Sequence, residues 1–508
     1  MSLDGSLAIA TSGLANINRQ LAVVSQNVAN AATPDYARQI STQTSVSAAG
    51  QGMGVQTGLV QRAIDQRLQA DLFRQNGVVA GMQARQSALG AIDAVQGTPG
   101  QDNDLASLLG KVQDAFSTLA NDPGNATQQA AVVGAAQSLT QQVNALSGAY
   151  TDGRNAAQAA IVADVGTLNG TLAQIGSLSD RVVQLRALGQ NTADIENQRD
   201  AAVDKLSSVL DVRALAQPNG DMLVMTTSGL SLPTHSATPP FATSAATLGP
   251  GAYQPGGGVP AITLGGRDVT ASLAGGTLGA NITLRDTTLP TDQAELDEFA
   301  QTLSERFDQQ GLKLFTDPTG AVPTRAGVPA QAGYIGYAAS IGVNPAVAAT
   351  PSLVRDGTQA VAGSPTGASA FTPNPAGGPA GFSGLIGRVL SYALGSQAQA
   401  GVAQPLPATS GLGPTGPLAP PYAPPATLEG LAGAGVAAQA QDSAAVTTAL
   451  GDETAVQTAL QGKFTAASGV SMDTEMSTMI QLQSSYAATA KLVSSVQTMW
   501  NQTLQMVQ

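Results

Sequence analysis

The sequence predicts a multidomain α+β protein in which the terminal helices pair as a coiled coil, a long-helix bundle forms the middle domain, and a β-rich outer domain is inserted into it. Three observations lead to this expectation. At 508 residues the chain is too long for one compact core. Apolar residues near both ends repeat at steps of three and four, which is the period of a helical seam. The chain contains 57 Gly and 28 Pro, and these become dense after about residue 212.

We expect four regions, two of which combine separate stretches of the chain. The terminal helical assembly domain comprises 1–61 plus 468–508, and the helical bundle domain comprises 62–211 plus 436–467. The β-rich domain covers 212–356 and includes a helix near 292–310. Residues 357–435 are a Gly/Pro-rich variable insertion, which we expect to form loops or extended structure with little core.

The two ends of the chain carry the seams. The N-terminal seam consists of Leu3, Leu7, Ala10, Leu14, Ile17, Leu21, Val24 and Val28. The C-terminal seam consists of Met472, Met476, Met479, Tyr486, Ala490, Val493, Trp500, Leu504 and Val507, interrupted by Gln483 and Gln497. Few charges accompany either seam, and uncharged polar faces suit helices that are buried from more than one side, because a buried unpaired charge is costly. An ordinary helix pair that caps one globule is the alternative, and the spacing alone does not decide between them.

The chain between the seams changes its pattern several times. A turn is expected at residues 30–39, extended or hairpin structure at 40–60, and helices from Arg62 to about Leu210 with a loop at 121–124. The Asn219-Gly220 pair predicts a β-hairpin, and residues 261–264 and 280–284 are interpreted as strands. A helix is expected from Asp292 to Gln310, and helical structure returns near Asp442.

Composition and motifs give little support for catalysis. The net charge of −12 disfavours binding to nucleic acid or anionic membranes. The chain has no Cys, and its one His, His235, lies in a turn-rich segment where we expect a solvated loop residue. The carboxylate pairs Asp297/Glu298 and Asp452/Glu453 are interpreted as solvated helix surface, since neighbouring residues on a helix point in different directions. We therefore expect no catalytic residues, no metal site and no cofactor.

Transport signals are also missing from the sequence. The first residues lack a basic segment followed by a sustained apolar run, and no later run approaches the ~20 apolar residues of a membrane span. We therefore expect no signal-peptide route and no membrane insertion.

The residues after the first seam resemble the N-terminal signature of bacterial flagellar axial proteins. In residues 27–39, Thr33, Tyr36 and Arg38 match a Thr-x-Gly-Tyr-x-Arg turn, and Asp35 replaces the usual glycine. Asp tolerates positive φ better than most residues, so the turn is compatible with this change.

Three further stretches are similar to the hook-associated protein 1 family of the hook–filament junction. Residues 194–207 with the following hairpin match its Asp-x-Arg-Asp helix, and 275–303 match its Leu-Arg-Asp and Leu-Asp-x-x-Ala segments. Residues 468–500 match its Gly-Val-x-x-Asp-Glu-Glu start, where Thr474 departs from the middle acidic position. Residues 357–435 show no match.

The resemblance implies a structural protein of the bacterial flagellum that is not an enzyme. Such subunits leave the cell through the flagellar type III secretion apparatus and form the junction between hook and filament, with the terminal helices lining the tube. The implied partners are identical subunits, the hook protein, the second hook–filament junction protein and a cytoplasmic export chaperone. A flagellar hook or rod protein is the nearest alternative, and a secreted adhesin or a glycan hydrolase is more distant.

Our hypothesis is that the two seams meet within each subunit while the amide-rich faces bind neighbouring subunits. The candidate assembly interface comprises Leu7, Leu14, Leu21, Asn27, Asn30, Thr33, Tyr36, Arg38, Met476, Tyr486, Val493 and Trp500.

Overall fold

The computed structural model describes residues 3–33, 36–48, 51–97, 101 and 103–507, and within them the chain is mostly helical. The helices are α1 Leu3–Ala29, α2 Gln66–Gln96, α3 Leu105–Asn121, α4 Ala126–Ala187, α5 Ala193–Val209, α6 Gly276–Thr283, α7 Leu289–Gln309, α8 Pro345–Ala349, α9 Leu353–Asp356, α10 Gly384–Arg388, α11 Leu428–Ser468 and α12 Met472–Val507. No helix in these ranges combines the length and the apolar character that crossing a membrane requires.

The strands pair in an antiparallel manner, and all are short except β1 with 10 residues and β2 with 12. They are β1 Gln39–Ala48, β2 Gln51–Arg62, β3 Val212–Ala216, β4 Met222–Thr226, β5 Ser231–Leu232, β6 Phe241–Ala242, β7 Thr263–Leu264, β8 Arg267–Asp268, β9 Phe315–Thr316, β10 Gly342–Val343, β11 Gln397–Gln399 and β12 Val402–Ala403. Among the described residues they form five small sheets, with orders β1-β2, β3-β4-β5, β6-β7-β8, β10-β9 and β11-β12.

The helix α1 lies beside α12, and the β1-β2 hairpin packs on α1. The hairpin approaches closely at Gly54, whose φ is +130° and whose position for a Cβ atom is 2.5 Å from the Ser12 hydroxyl oxygen. Any other residue there would be strained and would collide with α1. The hairpin confirms the extended structure predicted for 40–60.

The two terminal helices therefore contact each other, and of the predicted seam of α12 Met479, Ala490 and Val493 are partly buried whereas other members are exposed. Tyr486 and Trp500 remain 41% and 42% exposed, and Met476 remains 45% exposed. The partly buried apolar positions of α12 are Met479, Leu482, Ala490, Val493 and Val496. On α1, Leu7, Leu14 and Leu21 are all partly buried. A coiled-coil geometry for this pair stays a prediction.

The helix α4 forms the spine of the remaining structure. It contains 62 residues and is therefore about 93 Å long. Asn125 caps its first turn by accepting hydrogen bonds from the backbone N–H groups of Thr127 and Gln128. Its first half contributes Val132 to Ala157 to one core, and its second half contributes Ile161 to Ile175 to another. The helices predicted between Arg62 and Leu210 are thereby confirmed.

The first core surrounds α7, which confirms the helix predicted near 292–310. The ring of Phe307 packs edge-on against Phe315, with 5.1 Å between the ring centroids. Leu385, Ile386 and Val389 are fully buried in this same core. The expectation of little core in 357–435 was therefore wrong, because a short apolar run inside a Gly/Pro-rich segment is enough to anchor it.

The second core joins α4 and α5 to the β3-β4-β5 sheet. The predicted hairpin is confirmed, with Val212 opposite Thr226 and Ala216 opposite Met222. Residues 280–284, however, continue the helix α6 into a π-helical turn and do not form a strand. A short apolar run does not distinguish the two states. The segment 212–356 holds more helix than strand, so its description as β-rich was also wrong.

Candidate functional site

The residues of the N-terminal signature gather where α1 ends, around the side chain of Asn27. Its amide oxygen accepts hydrogen bonds from the Gln39 backbone N–H (2.9 Å) and the Tyr36 hydroxyl (3.2 Å), and its NH2 group donates to the Gln39 carbonyl (2.9 Å) and to Glu475 (3.3 Å). These four bonds use the whole capacity of an amide side chain. The Asn27 side chain thus pairs with both backbone groups of Gln39, as the backbone of a neighbouring strand would. It also contacts Glu475 in the C-terminal helix.

Glu475 is the C-terminal member of this site and lies in the first turn of α12. Its carboxylate accepts a hydrogen bond from Arg38 Nε at 2.5 Å, in an ion pair whose side chains are 1% (Glu475) and 33% (Arg38) exposed. The backbone N–H of Arg38 also donates to the Ser468 carbonyl at 2.8 Å, at the end of α11. One arginine therefore fixes both sides of the bend between α11 and α12.

The site also binds the helical bundle through α5. Asn197 donates its side-chain NH2 to the Ala37 carbonyl at 3.0 Å. Arg62, at the end of β2, contacts Asp200 at 2.5 Å and Glu196 at 3.1 Å. These contacts attach the turn to the helix that the sequence analysis singled out at 194–207. We call the set Asn27, Tyr36, Arg38, Arg62, Asn197, Asp200 and Glu475 the terminal lock.

Burial and neighbouring charges shift the pKa values of Tyr36 and of Glu196 beside the lock. Burial, together with the charges of Asp194 and Glu475, raises the pKa of Tyr36 to about 12, so its hydroxyl remains a hydrogen-bond donor. Burial alone would raise the pKa of Glu196. The neighbouring charge of Arg62 and the hydrogen bonds from Arg186 and Thr192 outweigh this effect and hold that pKa below its usual value.

The remaining signature residues stabilise the turn itself. Asn30 donates its side-chain NH2 to the Gln26 carbonyl at 2.9 Å and accepts a hydrogen bond from the Thr33 hydroxyl at 3.3 Å. Asp35, where the sequence departs from the expected glycine, lies outside the described residues. The structure thus brings Asn27, Asn30, Thr33, Tyr36 and Arg38 together. Leu7, Leu14, Leu21, Tyr486, Val493 and Trp500 lie farther along the terminal helices, away from the lock.

The sequence analysis missed the partners of these residues. Glu475 is separated from Arg38 by 437 positions, and Arg62 and Asn197 were not selected. One signal for Glu475 was present, because it keeps the last acidic position of the matched Gly-Val-x-x-Asp-Glu-Glu start. An acidic side chain is favourable in the first turn of a helix, so this position is compatible with a structural role. The spacing of residues in the segment does not reveal that Glu475 pairs with Arg38.

The residues with possible chemical roles lie outside the lock. His235 is a partly exposed loop residue, as expected, 3.3 Å from Asp180. The interpretation of Asp297 and Glu298 as solvated was wrong, since both side chains are buried. Asp297 accepts hydrogen bonds from the backbone N–H groups of Gly336 and Ala338, and Glu298 pairs with Arg325 at 2.8 Å. In the described ranges no three His, Cys, Asp or Glu side chains are placed to hold a metal ion.

Comparison with known families connects these features to the flagellum. Residues 89–320 match the helical domain of the flagellar hook-associated protein FlgK, and residues 461–506 match the C-terminal region of the flagellar basal body rod proteins FlgEFG. The first match includes α5, and the second includes Glu475.

Individual relatives agree with these families. The chain is 26% identical to the flagellar hook-associated protein 1 of Escherichia coli (strain K12) over 316 residues, which cover 59% of this chain and 56% of that protein. It is 25% identical to that of Bacillus subtilis (strain 168) over 221 residues, which cover 41% and 43%. The chain therefore spans about half the length of the curated relatives it matches.

The flagellar hook junction protein FlgK from Burkholderia pseudomallei is a solved structure similar to this chain. It aligns with a TM-score of 0.39 and 22% identity over 50% of this chain and 45% of that one. The family and relative matches confirm the resemblance to the flagellar hook-associated proteins, and they support a structural role in the bacterial flagellum and not an enzymatic one.

Proposed function

We propose that this chain, a relative of the flagellar hook-associated proteins, is a structural subunit of the junction between hook and filament. It is exported through the flagellar type III apparatus and assembles with identical subunits outside the cell through its N- and C-terminal helices. Its further partners are the hook protein, the second junction protein and a cytoplasmic export chaperone.

The terminal lock is the observation that carries this proposal. It connects both ends of the chain and attaches them to α5, so the pair α1 and α12 projects from the bundle in a defined direction. A subunit that assembles through its ends needs such a connection, because the orientation of the terminal pair sets the position of the outer domains.

The surface of α12 supports an assembly role for the terminal pair. Its exposed large apolar side chains are Met472, Met476, Ile480, Tyr486, Leu492, Met499, Trp500 and Met506. So many exposed large apolar side chains on one helix are unusual for a soluble monomer, and large exposed apolar areas mark protein interfaces. We therefore assign the candidate interface residues Met476, Tyr486 and Trp500 to contacts between subunits.

A flagellar rod or hook protein is the second candidate, because 461–506 match the C-terminal region of rod proteins. The match of 89–320 to the hook-associated helical domain favours the junction. Deleting the gene separates the two functions. The junction role predicts cells with hooks but without filaments and with flagellin released into the medium, and a plasmid copy should restore filaments and motility. Cells without hooks would refute the junction role and support a rod or hook protein.

A further inference from the structure

A cavity of about 700 Å³ lies away from the terminal lock, between α2, α4, α7 and α11. Its volume falls within the range of about 300–1,000 Å³ that is typical of small-molecule sites. Gln441 and Ala445 on α11 line it and are exposed, so the cavity opens to solvent along this helix. Nothing in the proposed assembly role uses this space.

One side of the cavity is apolar and aromatic. Leu146 and Tyr150 of α4 face Leu296 and Phe299 of α7 across it, and all four side chains are buried. Such a surface accommodates the hydrocarbon part of a ligand, and the faces of the two rings attract a cation.

The other side is acidic. Asp292 and Glu295 are three residues apart on α7, which places them on the same face of the helix. The Oδ2 atom of Asp292 is buried and has no hydrogen-bond partner among the described residues. Glu295 accepts one hydrogen bond, from the Tyr422 hydroxyl at 3.0 Å. A buried carboxylate oxygen without a donor is costly, and a ligand that donates N–H groups would remove this cost.

Within the described part of the chain, the charge that acts on Asp292 from a basic side chain comes from Arg85, and it does not outweigh the burial of Asp292. Among the described residues that line the cavity the only basic side chain is Arg85, and its guanidinium already contacts Asp442 at 2.5 Å. These two side chains are 39% and 34% exposed, so they lie at the mouth of the cavity. Burial, with smaller contributions from Glu295 and Asp442, outweighs the opposing charge of Arg85 and raises the pKa of Asp292 well above its usual range, and burial raises the pKa of Glu295 to about 7.

The chemistry of the lining selects one class of ligand. A metal ion is disfavoured, because the described chain offers no group of three His, Cys, Asp or Glu side chains for it. Two carboxylates beside aromatic rings and an apolar wall instead match an amine, whose N–H groups bind the carboxylates in charge-assisted hydrogen bonds. We propose that this cavity binds a small organic ammonium ion, with its amino group on Asp292 and Glu295 and its apolar part against Leu296 and Phe299.

Isothermal titration of the full-length chain tests the proposal, with 2-phenylethylammonium as the probe and the neutral 2-phenylethanol as its matched control. We expect saturable binding of one ammonium ion per chain, and binding of the alcohol that is weaker by about tenfold or more. The affinity should rise from pH 6 to pH 8, because both carboxyl groups must be ionised to bind the cation. At a pH near 6.5 binding should release protons, which is measured from the dependence of the apparent enthalpy on the buffer.

Two variants identify the site. Asp292→Asn and Glu295→Gln should each weaken binding by about tenfold or more, while Asp114→Asn, at an exposed position of α3, should bind as the wild type does. If Asp292→Asn does not fold, Glu295→Gln decides, since the glutamine amide oxygen still accepts the Tyr422 hydrogen bond. Absence of saturable binding at pH 8, equal binding of the alcohol, or unchanged binding by Glu295→Gln would each overturn the proposal.

Discussion

Replacing Asn27 by alanine tests the terminal lock most directly, because this side chain makes four hydrogen bonds in a buried position. The substitution leaves the Gln39 backbone N–H and carbonyl without their partners. Each buried backbone group left unpaired costs about 1–3 kcal/mol, so the free energy of opening this region should fall by about 2–6 kcal/mol. The better helix propensity of alanine returns less than about 0.7 kcal/mol and does not offset the loss.

Hydrogen exchange measured by mass spectrometry reports this change locally, which matters because a chain with several domains has no single unfolding free energy. The segments 36–48 and 472–480 should exchange at least about 30-fold faster in Asn27→Ala, since 1.4 kcal/mol corresponds to a factor of ten. Exchange in α4 should not change, because α4 belongs to separate cores.

Asn30→Ala is the matched control for this experiment. The Asn30 side chain bonds to the Gln26 carbonyl and the Thr33 hydroxyl, both within its own turn, and not to Glu475 or Gln39. The Asn30→Ala substitution should therefore leave the hydrogen exchange of residues 472–480 unchanged. If Asn27→Ala and Asn30→Ala gave the same exchange in 472–480, Asn27 would not hold the two ends of the chain together.

Three further predictions concern assembly and pH. Leu14→Asp should leave the melting of the middle domains unchanged but prevent incorporation into flagella, because a carboxylate in the half-buried interface of α1 has no partner there; normal motility with attached filaments would contradict this. Trp500→Ala should change the stability of the free chain by less than about 0.5 kcal/mol, because Trp500 is exposed, yet it should reduce filament attachment in a complementation assay. Glu295 has its pKa raised to about 7 by burial, so its ionisation destabilises the folded chain as the pH rises from about 4 through 7. The melting temperature of Glu295→Gln relative to the wild type should therefore be higher at pH 8 than at pH 5, and an equal difference at both pH values would refute this.

Local patterns in the sequence predicted local structure well. The turn from Asn27 to Arg38 spans few residues, so its partners are close in the chain and its residue types indicate hydrogen bonding. The same holds for the Asn219-Gly220 hairpin, whose strands are joined by the short segment 217–221 with Gly220 at a φ of +100°. Glu475 was not identified because nothing in the spacing of one segment reveals a partner 437 positions away.

The predicted apolar seam of α12 shows a second limit of prediction from sequence periodicity. The apolar side chains of this helix are spread around its axis. Met479, Leu482 and Val496 are partly buried and Ile480 is exposed, yet Trp500, four residues after Val496 and so on the same side of the helix, is exposed as well. Periodicity predicts which apolar residues share a side of the helix, but it does not predict how much of each side chain α1 covers. Composition failed in a related way for 357–435, where the abundance of Gly and Pro concealed the buried run around Leu385 and Ile386.

The exposed apolar side chains of α12 also bear on the proposed assembly. Within the described residues, none of the three hydrophobic clusters includes a residue of α1 or α12. The terminal pair is therefore held to the bundle by the polar contacts of the lock and not by a shared core. α1 leaves Ile480, Leu492 and Met499 of α12 exposed, and in the assembly proposed above a second chain would cover such side chains. Under that proposal the terminal pair would become more strongly ordered during assembly, while α4 and its two cores would stay unchanged.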